Sequence, residues 1–367
     1  MDLRLGIVGC GRISHAHGIA AQRIGKGLRF SACADVNEDA ARSFATSYGS
    51  NSFFTDYKEM LKKEQLDAVV FATWPAQHRE QLETAIKSGA RFILCEKALA
   101  LTGEEAVEIY DLAKKAGVTI VEGFMYTHHP VIARLDELVK REVSGTVDSV
   151  RASFHMYLPE PDGSQQLTWR QRKETGGSVP YDRTCYPVNI CARYAHALPV
   201  KVAATATVSE KLGTVTRLYG EVTYENGRVA LIESSNGAVF GQEVQVTCSN
   251  RIYRLATPFT MPGDGTIVEI EALKFSHICE HVHTVKSPLP VQDDLPSFLA
   301  YGPQLENFAK AVSGEAKNSR PLLVESVVNS FTLDGLVRAG LEERVVKIEI
   351  PEHIKKDWRE AKEAGRV

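Results

Sequence analysis

Leu3-Arg4-Leu5-Gly6-Ile7-Val8 runs directly into Gly9-Cys10-Gly11-Arg12-Ile13-Ser14, and this junction decides the fold. A short apolar run that meets a glycine turn and then a helical pattern is the opening of a βαβ unit that cradles a pyrophosphate. Gly9 permits the tight turn and Gly11 lets the backbone approach the phosphates. Arg12 and Ile13, between the turn and the helix at 14–25, are further cofactor-side candidates, and the helix N-terminal amides face the negative charge. Ser14 stands at the third position of G-x-G-x-x-G and is small enough for close helix packing.

A glycine motif gains weight from its surroundings. Leu28 to Ala34 reads as the second strand, and Asp35 ends it, close to the distance of about 20 residues at which a ribose-binding carboxylate is expected. Such a carboxylate accepts hydrogen bonds from ribose hydroxyls and repels a 2′-phosphate. Val36-Asn37-Glu38 follows without an arginine, so NAD is favoured and NADP is the less favoured cofactor. The alternative is an ordinary strand-ending Asp that caps the next helix.

The 367 residues suffice for two domains, and 44% hydrophobic with 24% charged residues is the composition of a globular chain. A formal charge of −3 provides no basic surplus for nucleic acid or an anionic membrane. No apolar run approaches the roughly 20 residues that span a bilayer. The first strand begins by Leu3, so no signal peptide is expected, and seven cysteines without a CxxC pair fit reduced thiols in a cytoplasmic protein.

Downstream, apolar runs at 67–72, 91–95 and 118–121 alternate with helical segments at 14–25, 37–48, 56–63, 76–88 and 102–116. This alternation predicts an α/β Rossmann domain, a doubly wound parallel sheet, over residues 1–123. From 124 to 367 the pattern changes. A helix from Val131 to about Arg141 leads into alternating strands at 147–157, 200–208, 217–235 and 238–255, with a hairpin signal at Asn226-Gly227. Helices at 303–312 and from Leu322 to about Arg338, then a charged helical tail from His353, close the chain. The second domain is expected to be α+β with a large, mainly antiparallel, open-faced sheet. A symmetric partner is the economical cover for that face, which predicts a homodimer or homotetramer.

Strand ends of a doubly wound sheet face the cofactor crevice. Two of them carry polar residues: Thr73 to His78 after one, and Glu96-Lys97 after the next. Thr73, His78, Glu96 and Lys97 are therefore cofactor-side candidates, and the Lys97 ammonium can hold a substrate hydroxyl. Further on, Asp182 and Tyr186 stand four apart, so a regular helix would place carboxylate and phenol on one face. A nearby ammonium would lower the phenol's pKa from its usual value of about 10, making Tyr186 a proton acceptor from an alcohol. A helix-capping Asp and a partly buried Tyr form the plainer alternative.

The segments GIVGCGRIS, ADVNEDAA, ATWPAQH, CEKALALT, EGFMYTHHP, WR…GGSVPYDRTCYPVNICARY and YGPQLENFAKAVSGE, in this order, resemble the glucose–fructose oxidoreductase/inositol dehydrogenase (Gfo/Idh/MocA) family over nearly the whole chain. The resemblance implies a Rossmann domain followed by an open-faced sheet domain that commonly mediates oligomerisation. It implies that Lys97 is the lysine of the EKP motif, and that Asp182 and Tyr186 come from the D-x-x-x-H/Y motif. Tyr with a following Pro-x-Asn is similar to the glucose–fructose oxidoreductase and dimeric dihydrodiol dehydrogenase branch. The chain departs from the pattern at Ala98, where the motif has proline, at Thr127, where the branch has Arg, and at Arg183, which replaces an apolar residue. These departures bear on the substrate more than on the chemistry.

The expectation is an NAD(H)-dependent oxidoreductase acting on a sugar, polyol or cyclic diol, with Lys97, Asp182 and Tyr186 catalytic. His155, Arg170 and Asn189 are candidates for gripping other substrate hydroxyls. Two alternatives stand beside it: a glycoside hydrolase that uses NAD by transient oxidation, and a non-catalytic nucleotide-binding regulator. His277, Cys279, His281 and His283 alternate along one strand. A polar sheet face is the expected role there rather than a metal site, because same-face neighbours on one strand rarely converge on a tetrahedral ion. His128-His129 either lines the cleft or forms a polar turn.

Overall fold

The computed structural model describes residues 3–25, 27–161, 166–260, 263–274, 277–286, 300–315 and 322–366. The first half alternates strand and helix: β1 (Leu3–Val8), α1 (Arg12–Ile24), β2 (Leu28–Ala34), α2 (Glu38–Tyr48), β3 (Ser52–Phe54), α3 (Tyr57–Lys63), β4 (Ala68–Phe71), α4 (Pro75–Lys87), β5 (Phe92–Glu96), α5 (Gly103–Ala116) and β6 (Thr119–Gly123). All strand pairs are parallel, in the order β3-β2-β1-β4-β5-β6. The reversal of direction between β1 and β4 opens a crevice at the C-terminal strand ends. Helix starts follow local chemistry. The Asn37 side chain accepts the amides of Asp39 and Ala40, and Thr102 accepts that of Glu105.

The second half begins with α6 (Pro130–Val139), β7 (Val147–His155) and α7 (Cys185–Ala195). It continues through β8 (Pro199–Val208), β9 (Val215–Tyr224), β10 (Val229–Ser235), β11 (Gly241–Cys248), β12 (Ile252–Ala256), β13 (Gly265–Lys274) and β14 (His277–Val285). It closes with α8 (Tyr301–Val312), α9 (Leu323–Glu342), β15 (Val346–Lys347) and α10 (Glu352–Glu363). These strands form a nine-stranded sheet, β14-β13-β12-β11-β7-β10-β9-β8-β15, antiparallel except at β7–β10. Along β7, Val150, Ala152 and Phe154 are buried against α7, while Arg151 points to the open face. That face also shows Leu231, Tyr219 and Val282, all exposed.

The last helices return to the first sheet. Helix α8 packs on α1, and α9 lies between α5 and β8. A helix wedged between two layers has no solvated stripe, which is why α9 is buried on nearly every side. Among the described residues no helix is long and apolar enough to cross a membrane.

The histidine strand takes part in an ion-pair network. His283 lies 2.7 Å from Glu269 and His281 3.9 Å from Glu271, while Arg141 and Arg251 share Glu269 Oε1 at 2.5 and 3.2 Å.

Candidate active site

The glycine turn fits a dinucleotide. Gly9 has φ +89°, and a Cβ there would lie 2.7 Å from the Ala72 carbonyl oxygen and 3.0 Å from Thr73 Cγ2. At Gly11 a Cβ would meet nothing within 4 Å, so that side of the turn is open space. Gly11 is the N-cap of α1 and no side chain caps the helix; the Ser14 amide turns back to the Gly11 carbonyl, and the amides of Arg12 and Ile13 are left for an anion. Asp35 is fixed at the rim: its Oδ2 accepts the Cys10 amide at 2.7 Å and its Oδ1 the Asn37 amide at 2.8 Å. The remaining lone pairs of that carboxylate can accept ribose hydroxyls. The geometry of the residues present matches a bound NAD.

Behind the turn, Thr73 donates to Gln81 Oε1 at 2.5 Å. His78 is wholly buried, with Nδ1 2.9 Å from the Ala98 carbonyl and Nε2 3.3 Å from that of Thr73. Burial pushes its pKa down, and a neutral imidazole has one N–H, which the shorter contact assigns to Nδ1. His78 therefore ties α4 to the strand end that carries Lys97 and presents no ring nitrogen to the crevice. The peptide bond Lys97–Ala98 is cis although proline is absent.

Lys97 follows β5 and reaches the second domain. Its Nζ donates to the Asp182 carbonyl at 2.7 Å and to Asp182 Oδ1 at 3.3 Å. Arg170 Nε donates to Asp182 Oδ2 at 2.9 Å, and Arg183 Nη2 lies 3.5 Å from the same oxygen. Burial alone would raise the Asp182 pKa, but these cations outweigh it and hold the group at about 2. It is a buried anion at neutral pH.

Tyr186 lies close to this cluster but in a different orientation from the one its spacing predicts. Residues Pro180–Thr184 form a π turn, with the Cys185 amide bonded back to Pro180. No hydrogen bond joins Asp182 to the phenol. The Lys97 ammonium lies over the ring, 4.9 Å from its centroid, rather than at the oxygen. The ring packs among Phe124, Tyr126, Phe154 and Phe259. The expected lowering of its pKa does not arise, because burial drives it well above the ordinary value. Among the described residues its hydroxyl's hydrogen-bond contact is with Met125 Sδ, at 3.8 Å. A buried phenol left with a thioether is a donor without a proper partner.

The three substrate-side candidates separate. Arg170 belongs to the Asp182 cluster, and its guanidinium lies over the Trp169 ring. His155 ends β7, 4.0 Å from Glu233, with Nδ1 buried and without a partner. Asn189 accepts the Tyr126 hydroxyl at 2.5 Å and lines a cavity with Asp136, Arg193 and Asn329, which Lys97, Asp182 and Arg170 do not border. His129 caps α6 through Nδ1, and His128 Nδ1 meets Asn307 at 2.9 Å, so both serve the turn that starts this helix.

Two groups near Lys97 carry no local signal in the sequence, although Glu122 lies in a matched segment. His17 of α1 is fully buried, with Nε2 2.9 Å from Glu96 Oε1 and its ring edge-on to Tyr301. Glu122 of β6 accepts the Leu99 amide at 2.8 Å, fixing the chain just after Lys97. Burial raises its pKa to about 7.

Comparison with known proteins bears on both halves. Residues 3–124 match the family model for the oxidoreductase family with NAD-binding Rossmann fold, and residues 132–254 match the GFO/IDH/MocA C-terminal domain. A D-xylose 1-dehydrogenase (NADP(+)) of Haloferax volcanii is 34% identical over 204 residues, which cover 56% of this chain and 61% of that protein. An inositol 2-dehydrogenase/D-chiro-inositol 3-dehydrogenase of Shouchella clausii is 23% identical over 96% of this chain and 95% of its own length. Levoglucosan dehydrogenase, solved with NADH and levoglucosan, superposes with a TM-score of 0.83 over 95% of this chain and 100% of that one, at 19% identity; that likeness speaks to the fold. With both domain models matched in order along one chain, and the glycine turn, Asp35 and Lys97 in place, this protein belongs to the Gfo/Idh/MocA family of oxidoreductases.

Proposed function

We propose that the chain is an NAD(H)-dependent oxidoreductase that moves a hydride between nicotinamide and a secondary alcohol or carbonyl of a sugar, polyol or cyclic diol. The observation that carries this reading is the Lys97–Asp182 contact at the mouth of the crevice. It joins the strand end of the dinucleotide domain to the second domain, where a substrate would lie.

Gly9, Gly11, the α1 amides and Asp35 would hold the cofactor, and nicotinamide when bound supplies the hydride acceptor or donor. The residues of the chain handle the oxygen and its proton. Lys97 Nζ donates to the carbinol or carbonyl oxygen and stabilises negative charge on it. Asp182 stays ionised, holds the ammonium in place and balances its charge. Tyr186, kept neutral by burial, is suited to giving its proton to the carbonyl oxygen in the reductive direction; the phenolate so formed then regains a proton from water, and in the oxidative direction that phenolate is the form that takes the alcohol proton. Arg170 and His155 are the candidates for gripping further substrate groups.

The exposed Tyr219, Leu231 and Val282 support a homo-oligomer assembled through the open face of the large sheet.

The test is NADH fluorescence on purified protein with NAD or NADP and a panel of aldoses, inositols, cyclic diols and glycosides. Net NADH formation with one substrate class is the expected result. Glycoside cleavage without net NADH would replace this reading with transient oxidation, and silence with every compound would replace it with a binding role.

A further inference from the structure

Three cations, Lys97, Arg170 and Arg183, converge on the carboxylate of Asp182. Glu96 and Glu122 lie on the Lys97 side, tied to His17 and to the Leu99 amide, and among the described residues neither forms an ion pair with either arginine. Arg183 is the sharpest case, since it is among the largest fully buried side chains, 1% exposed. One Nη1 bond goes to Asn236 Oδ1, while Nε and Nη2 have no hydrogen-bond partner. A buried guanidinium normally has its donors satisfied, because each one left over costs desolvation without return.

Arg170 differs in exposure. Only its Nε is used on Asp182, and the side chain is about one third exposed, 32%. Its two terminal nitrogens therefore form an open fork of the kind that takes a carboxylate or phosphate through two parallel bonds. The Trp169 ring, 4.8 Å from the guanidinium carbon, holds that fork flat.

We propose that the substrate is an anionic sugar or polyol, whose carboxylate or phosphate docks on the terminal nitrogens of Arg170 and is drawn there by the buried charge of Arg183. The under-bonded buried guanidinium of Arg183 and the open fork of Arg170 favour an anion, which neutral sugars do not supply. This inference rests on the hydride-transfer reading only for the identity of the site; the charge argument itself concerns binding.

The experiment is calorimetric titration of the purified protein, in the presence of NAD, with glucuronate, galacturonate, glucose 6-phosphate, and their neutral parents glucose and galactose. At least one anionic sugar is expected to bind ten-fold or more tightly than its neutral parent, with the advantage shrinking at high salt. The uronate and phosphate arms identify which anion the fork accepts. Arg183→Leu, which restores an apolar residue, is expected to erase most of the preference. Arg170→Gln provides a second, partly exposed variant should Arg183→Leu not fold. Equal or tighter binding of the neutral parents, or a preference untouched by either variant, overturns the proposal. NADH formation is read in parallel. An anion that binds by charge yet yields no NADH counts against hydride transfer alone, whereas NADH from neutral sugars only counts against the anion alone.

Discussion

The Lys97 ammonium lies 2.7 Å from the backbone carbonyl and 3.3 Å from the carboxylate of Asp182, a contact between residues 85 positions apart that joins the two sheets. Everything that positions Lys97 serves this contact. His78 grips the Ala98 carbonyl, Glu122 the Leu99 amide, and the ring of Tyr186 lies under the ammonium.

Asp182→Asn keeps the shape of the side chain and removes its charge. Three cations then face no anion, and breaking a buried pair in this way costs about 3 kcal/mol. A clear fall in thermal midpoint is expected in calorimetry. In the unaltered protein the folded-state pKa of about 2 lies below the ordinary aspartate value of 3.8. The stabilisation is therefore complete above roughly pH 4 and is lost as pH falls toward 2, and the variant should lack that dependence.

Tyr186→Phe removes a hydroxyl whose hydrogen-bond contact among the described residues is a sulfur atom at 3.8 Å. The ring and its packing remain, so the thermal midpoint should hardly move. If the hydroxyl carries the proton, kcat falls by about 100-fold or more while KM changes little. Steady-state kinetics separate the two constants.

The two glycines of the turn should behave in opposite ways. Gly9→Ala meets both a positive φ and an oxygen 2.7 Å away, and a loss of about 2 kcal/mol of stability is expected. Gly11→Ala has room on the protein side and should leave the cofactor-free stability within about 0.5 kcal/mol. It should nevertheless weaken NAD binding ten-fold or more, because the space belongs to the phosphates. Urea unfolding and cofactor titration of both variants read the contrast.

Much of this was legible before any coordinates, for local reasons. Gly9, Gly11 and Asp35 announce their roles because a turn, a close approach and a strand-end carboxylate are each written in a few adjacent residues. The alternation of strand and helix followed from continuous apolar runs between capped helices. What the sequence concealed depended on distant partners. Spacing put Asp182 and Tyr186 on one helical face, but no hydrogen bond joins them and the phenol meets Met125 Sδ instead. His78 followed a strand end as a cofactor ligand would, yet its Nδ1–H is used on the Ala98 carbonyl. The His17–Glu96 and Glu122–Leu99 contacts span 79 and 23 residues, and no local pattern records them.

Glu122 offers a pH signature of its own. Its folded-state pKa of about 7 is above the ordinary glutamate value of 4.5, so the native state binds its proton more readily than the unfolded chain does. Stability should decline as pH rises from roughly 4.5 to 7 and then level off. Glu122→Gln keeps an acceptor for the Leu99 amide and should flatten that decline, as measured by urea unfolding between pH 5 and pH 8.

The central claim is that Lys97 works on the substrate oxygen rather than holding the two domains together. The measurement that tests it most directly is turnover by Lys97→Ala on the first substrate to give NADH, with NAD affinity measured on the same preparation. The account predicts that NAD still binds within a few-fold of normal while kcat/KM falls at least 100-fold. Turnover within ten-fold of the unaltered protein, with NAD bound normally, would contradict it.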